Sequence, residues 1–212
     1  MNYNYLVIEG SIGAGKTSLA RMIADKYKAR LILEQFADNP FLPKFYGNPE
    51  RYSFPLELSF LASRYQQVNK ELTNRDLFSP FTVADYHFTK SLIFAQTTLQ
   101  KDEYTLFRQL FDIIIQQLPK PDLYVYLYLP VNQLLRNISG RGRDYEKNIQ
   151  AEYLEKIQDG YLNYLKVIDD MRILIIDRSH IDFVNDPDDF KKLENKIFYG
   201  KWNYGINRLL IP

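Results

Sequence analysis

Short apolar runs alternate along the chain with longer stretches in which apolar residues recur at helical spacing. Residues 3–9, 30–34, 80–85, 123–129 and 172–177 are nearly continuous in apolar and β-favouring residues, as strands covered on both faces of a parallel sheet must be. Residues 16–28, 52–72, 88–99, 104–118, 132–139 and 150–168 carry the helical periodicity. Strand–helix alternation predicts an α/β fold, a five-stranded parallel sheet flanked by helices with right-handed crossovers. The segment LPKPD at 118–122 punctuates the approach to the fourth strand, and Pro130 with Asn132 predicts a strand exit and a helix cap. No repeat, low-complexity tract or linker interrupts the pattern, so residues 1–212 read as a single domain.

Composition narrows the chemistry. A chain of 212 residues, 46% hydrophobic, can bury one substantial core. The net charge of +1 provides no global basic field and argues against a nucleic-acid partner or an anionic membrane surface. With no cysteine and only two histidines, His87 and His180, disulfides and thiolate chemistry are excluded and a zinc cluster is disfavoured; a hard, oxygen-ligated ion stays open. The absence of a basic leader and of any membrane-length apolar run gives the expectation of a cytoplasmic protein with no membrane partner.

The most informative segment joins the first strand to the first helix. Gly10, Ser11, Ile12, Gly13, Ala14, Gly15, Lys16 and Thr17, followed by Ser18, fit GxxxxGK[ST] in the strand-to-helix setting the motif requires. Its backbone N–H groups converge on phosphate oxygens, the helix N-terminus adds positive dipole, Lys16 reaches the terminal phosphates and Thr17 is a Mg²⁺ ligand. The motif predicts a nucleoside triphosphate without saying whether it is hydrolysed, transferred or sensed. GTP-switch signatures are missing. The carboxyl ends of the predicted strands carry Glu9, Glu34, Asp85 and Asp177, which gathers acids around that loop.

Further motifs occur in order from about residue 5 to 185: Ile8-Glu9-Gly10 before the loop, PERYSF at 49–54, Ser63-Arg64, Phe94-Ala95 beyond an acidic strand end, Arg141-Gly142-Arg143, and EYLEK at 152–156. Together they resemble the deoxynucleoside kinases of the deoxycytidine/deoxyguanosine kinase type. The resemblance implies a three-layer, thymidylate-kinase-like P-loop kinase fold with a short arginine-rich lid at about 137–146. It also implies transfer of the ATP γ-phosphate, with Mg²⁺, to the 5′-hydroxyl of a deoxynucleoside, giving a monophosphate for nucleotide salvage. Homodimerisation through the region of Leu92, Ile93, Leu99, Leu106, Leu110 and Ile114, and feedback inhibition by a deoxynucleoside triphosphate, come with it.

Residue by residue, the resemblance makes Glu34 the base on the 5′-hydroxyl; without the phosphate loop beside it, a solvated strand-end carboxylate would be the default reading. Asp85 becomes a Mg²⁺ ligand through water or a partner of Lys16, with a helix N-cap as the plain alternative. Arg141 and Arg143 become the lid cations that neutralise the transferring phosphate. Tyr46 and Glu146 hold the 3′-hydroxyl, Glu57 and Arg64 read the base, and Asp182 with Phe183 cups the donor adenine. Phe36, Phe45, Phe54, Phe60 and Phe94 are candidate apolar walls.

Three departures stand out. Tyr86 and His87 follow Asp85 where the family has Arg and Ser, which leaves Lys90 either as the substitute cation near the 5′-oxygen or as a second base reader. Asn137 occupies a lid arginine position next to Arg136. Glu57 replaces a glutamine, exchanging an amide donor for acceptors that suit the exocyclic amine of adenine or cytosine and can also read guanine; together with Arg64 it slightly favours a purine such as deoxyadenosine or deoxyguanosine. A nucleoside monophosphate kinase and a non-catalytic nucleotide-binding subunit are the competing readings.

Overall fold

A computed structural model describes residues 3–35, 39–73, 78–143, 146 and 149–210. Phe36 and lid positions 144 and 145 lie outside the described residues. The strands are β1 (Tyr5–Gly10), β2 (Arg30–Ile32), β3 (Thr82–Ala84), β4 (Leu123–Tyr128), β5 (Arg172–Asp177) and β6 (Gly205–Leu210). They form one all-parallel sheet in the order β2-β3-β1-β4-β5-β6. Five strands were expected and six are present among the described residues. The added β6 pairs along the whole of β5, from Arg172 opposite Gly205 to Asp177 opposite Leu210. Its sequence GINRLL lacks a continuous apolar run because an edge strand is only half covered.

The helices are α1 (Lys16–Tyr27), α2 (Leu42–Gly47), α3 (Pro49–Thr73), α4 (Lys90–Thr98), α5 (Lys101–Ile115), α6 (Val131–Arg141), α7 (Ala151–Lys166) and α8 (Pro187–Tyr199). Periodicity did not predict α2 or α8. At only six residues α2 falls below the reach of a periodicity test. The start of α8 was legible, since Asp186 caps it by accepting the N–H groups of Asp188 and Asp189, with Pro187 in its first turn. Two predicted caps are corrected. Pro130 rather than Asn132 precedes α6, and Thr89, not Asp85, precedes α4.

Successive strand residues point to opposite faces and split the interior in two. Leu6, Ile8, Val125 and Leu127 join Leu19 and Ile23 of α1, Leu134 of α6 and Leu193 of α8. Tyr5, Val7, Tyr124 and Tyr126 join Val68 of α3, Ile93 of α4 and Ile157 and Tyr161 of α7. With β1 central, the loop leaving it opens at the carboxyl edge, flanked by the ends of β3 and β4. Among the described residues no helix is long and apolar enough to cross a membrane.

Candidate active site

The loop at residues 10–17 is held in the shape its glycines permit. Gly10 and Gly13 adopt φ of 153° and 84°. A Cβ on Gly10 would lie 2.6 Å from the Leu127 carbonyl oxygen, and one on Gly13 would lie 2.8 Å from that of Leu134. Each therefore needs both positive φ and the missing side chain. The Lys16 amine donates to the Ser11 carbonyl at 3.0 Å, and the Asn137 amide donates to the Gly13 carbonyl at 2.9 Å. Asn137 thus braces the loop from the lid position where an arginine was expected. Burial, then repulsion from Lys90, lowers the Lys16 ammonium to about 8.

Beside the loop, Asp85 links three elements. Its carboxylate accepts the Thr17 hydroxyl at 2.5 Å and the Glu34 backbone N–H at 2.7 Å. Glu34, just beyond β2, carries two cations. Arg64 of α3 donates to Oε1 through Nε at 3.0 Å and Nη2 at 2.7 Å, and Lys90 of α4 donates to Oε2 at 2.5 Å. Burial alone would raise this carboxyl, but Lys90 and then Arg64 bring it down to about 2. Glu34 is therefore an ion-pair hub and not a solvated strand end. Lys90 stands against Glu34 with its ammonium 5.3 Å from the Phe94 ring centre. Arg64 also donates from Nη1 to Ser91 Oγ at 2.8 Å.

Glu9 differs from the other strand-end acids because it faces inward. It is fully buried and accepts from the His87 N–H at 2.8 Å, the Tyr161 hydroxyl at 2.9 Å and the Gly10 N–H at 3.1 Å. One carboxylate thereby joins the start of the phosphate loop to the β3–α4 turn and to α7. His87 is a satisfied core residue, with Nδ1 2.9 Å from Thr89 Oγ1 and its pKa pushed by burial down to about 4. Asp177 is occupied by the Ser179 N–H and hydroxyl.

Two cavities meet at this cluster. The first, of about 110 Å³, is lined by Glu34, Asp85, Lys90, Arg64, Glu57 and Tyr46, with apolar walls that include Phe45, Phe60 and Phe94 but not Phe54. The second, of about 720 Å³, runs along the outer side of the loop past Gly13, Gly15, Ser18, Asn137, Arg178 and Asp182. Lys16, Thr17, Arg141 and Arg143 line both. Gly142, with φ of 67°, ends α6 between the two arginines. Glu146 is buried and accepts from Arg141 at 2.6 Å through both oxygens and from Arg143 at 3.3 Å. Arg136 is exposed and lines neither cavity.

In the second cavity, Asp182 is exposed and accepts from Asn185, whereas the Phe183 ring is fully buried beneath Gly15. Phe183 thus supports the loop from below, and its side chain lines neither cavity. Sequence reasoning missed Arg178. It is 8% exposed, its Nη1 donates to the Ile181 carbonyl, its Nε has no partner among the described residues, and its guanidinium lies 5.1 Å from the Phe183 ring centre. A basic residue at the carboxyl end of an otherwise apolar strand was the signal available.

Glu57 of α3 also has a buried polar atom without a partner among the described residues. It is 2% exposed, Oε1 accepts from the Thr98 hydroxyl at 3.1 Å, and Oε2 has no partner among the described residues. Burial raises this carboxyl to about 7, against the pull of Arg64. An acid with a raised folded-state pKa stabilises least once ionised, so the native state loses stability as pH rises from the ordinary carboxylate range through about 7. Glu57→Gln should therefore gain on the wild type by up to about 3 kcal/mol between about pH 5 and about pH 8.5. The difference in Tm across that interval is the measurement, and a constant difference would mean that Glu57 ionises without cost.

The profile of a known family, Deoxynucleoside kinase, matches residues 6–199. A deoxyguanosine kinase of Bacillus subtilis (strain 168) is 35% identical over 193 residues, covering 89% of this chain and 93% of that protein. A deoxyadenosine/deoxycytidine kinase of the same organism is 27% identical over 199 residues, covering 91% and 90%. In fold, the chain resembles the structure of a deoxyadenosine kinase from M. mycoides with bound dCTP, with a TM-score of 0.78 at 20% identity over 91% of this chain and 98% of that one. With a phosphate loop at the joint of two cavities and a family match along nearly its whole length, the chain belongs to the deoxynucleoside kinase family and is an enzyme that phosphorylates deoxynucleosides.

Proposed function

We propose that the protein transfers the γ-phosphate of ATP to the 5′-hydroxyl of a purine deoxynucleoside, supplying a 5′-monophosphate for nucleotide salvage. The reading rests chiefly on one observation. Lys16, Thr17, Arg141 and Arg143 border both cavities, so a donor along the outer side of the loop and an acceptor in the inner cavity have their reacting ends beside the same four side chains. The inner cavity takes the nucleoside, with the base toward Glu57 and Arg64, and the 5′-hydroxyl toward Glu34 and Lys90. The 3′-hydroxyl lies toward Tyr46 and Glu146.

Glu34 accepts the hydroxyl proton as the bond to phosphorus forms, and Lys90, already paired with it, supplies the cation that an arginine supplies in other members. Lys16 holds the phosphates that part and transfer, while Arg141 and Arg143 neutralise charge on the moving group. Nucleoside binding competes with Arg141 and Arg143 for Glu146, so seating of the 3′-hydroxyl frees lid arginines for phosphate. Thr17 and Asp85 form a hard-oxygen pair suited to magnesium, which binds few carboxylates and takes its remaining ligands from phosphates and water. The ion neutralises phosphate charge when bound.

Two further features support family properties. A deoxynucleoside triphosphate can place its base in the inner cavity and its phosphates on the loop, in the manner of a feedback inhibitor. On α5, Leu106, Leu110 and Ile113 are exposed and offer an apolar face to a second copy of the chain, whereas Leu92 and Ile93 are spent in the chain's own core.

The test is incubation with Mg-ATP and deoxyadenosine, deoxyguanosine, deoxycytidine, thymidine or their 5′-monophosphates, with ADP and product measured. Turnover confined to pyrimidine nucleosides would overturn the purine assignment. Turnover of monophosphates alone would overturn the acceptor site.

A further inference from the structure

Within the inner cavity one polar atom is unexplained. Glu57 Oε2 is buried with no partner among the described residues, while Oε1 is engaged by Thr98. The groups facing this carboxyl come from every surrounding element. Arg64 lies on its own helix, Lys90 and Thr98 on α4, Glu34 at the exit of β2, Tyr46 on α2 and Tyr153 on α7. None of them neutralises it outright. Arg64 and Lys90 both bond to Glu34, and Glu146 in the same cavity is taken by Arg141 and Arg143.

A carboxyl in that position has two hydrogen-bonding identities. Neutral, with Thr98 on the carbonyl oxygen, it presents an O–H donor from Oε2 and an acceptor beside it. That pair complements the Watson–Crick edge of adenine, whose N1 accepts and whose amine donates. Ionised, it presents acceptors only, which complement the N1–H and the amine of guanine. Glutamine imitates the neutral form and cannot imitate the ionised one.

We propose that Glu57 is a proton-gated base reader, so that the protein accepts both purine deoxynucleosides and favours deoxyadenosine when Glu57 is neutral and deoxyguanosine when it is ionised. The inference deepens the purine assignment above and rests on it. Burial places the titration of Glu57 at about 7, where modest changes in acidity move it. By linkage, deoxyadenosine binding takes up a proton near neutral pH and deoxyguanosine binding releases one.

The experiment is competition between the two nucleosides for wild type and Glu57→Gln at about pH 6 and about pH 8. The ratio of kcat/KM values is read because other titrations, that of Lys16 included, act on both substrates alike and cancel. The wild-type ratio is expected to move toward deoxyguanosine by about tenfold or more. Glu57→Gln is expected to stay at the wild type's low-pH ratio throughout. A wild-type ratio that does not move, with both nucleosides phosphorylated, overturns the inference and leaves the kinase reading intact. A ratio that moves equally in Glu57→Gln overturns it as well, by assigning the titration to another group. Turnover of neither purine overturns the purine assignment and this inference together. Should the variant fail to fold, calorimetry of the wild type in buffers of different ionisation enthalpy decides the matter. Opposite proton flux for the two nucleosides supports the gate, and equal flux refutes it.

Discussion

Glu34→Gln is expected to lower kcat by about 10²- to 10⁴-fold, with KM for the nucleoside changed only a few-fold. Glu34 combines the proposed role of base with an observed ion-pair role, and the substitution strikes both. As the proposed acceptor of the hydroxyl proton it is weak, because Lys90 and Arg64 hold it near 2. That weakness is tolerable in phosphoryl transfer, where the transition state is loose and the hydroxyl proton departs late. As the shared counter-ion of Lys90 and Arg64, it also fixes where those cations stand. Glutamine keeps the shape but leaves two buried cations without their carboxylate, so some loss of stability accompanies the loss of rate. Single-turnover rates together with calorimetric nucleoside binding separate the effects. Retained binding with a collapsed chemical step fits the base, and near-native kcat would leave Glu34 as an ion-pair hub with no part in the chemistry.

Lys16→Met should be nearly as severe, with kcat/KM for the donor falling by about 10²- to 10³-fold. The Lys16 ammonium donates to the Ser11 carbonyl, and burial with nearby Lys90 makes its charge unusually costly. A donor phosphate reverses that balance by replacing a carbonyl with a full negative charge. A pH dependence follows. A lysine whose free-enzyme pKa is lowered to about 8 loses its proton as pH rises through that value. In the wild type, kcat/KM for ATP should therefore decline on the alkaline side of about pH 8, and the decline should be missing in the methionine variant. A donor kcat/KM that survives the substitution would place the phosphates elsewhere.

The sequence carried more of the fold than of the site's electrostatics. The central strands β1, β4 and β5 were legible because both faces of each are covered, which makes their apolarity continuous, while β2, at the opposite edge and only half buried, was legible from the apolar residues at its core side. β6 escaped because an edge strand keeps a wet side, and α2 because one turn and a half leaves no period to detect. At the site, the phosphate loop was visible because its spacing is itself the mechanism. Spacing could not tell that Glu34 would carry two cations, that Lys90 would side with Glu34 over Glu57, or that Arg178 would close on the loop from β5. Those facts depend on contacts between segments 30 or more residues apart, as in the 56-residue separation of Lys90 from Glu34. Glu9 shows the opposite limit. It was legible as a strand-end acid, yet its carboxylate turns inward to bind Gly10, His87 and Tyr161 instead of meeting solvent.

Among the described residues, the inner cavity has five basic side chains, Lys16, Arg64, Lys90, Arg141 and Arg143, against four acids, Glu34, Glu57, Asp85 and Glu146. A nucleoside enters uncharged, so this excess does little to attract it. The monophosphate that forms is a dianion lying directly among those cations. Catalysis thus converts an indifferent guest into a tightly held one, and the surplus charge that speeds transfer also slows departure. Such a charge balance favours product exit as the slow step, and salt, which screens that attraction, should quicken the exit.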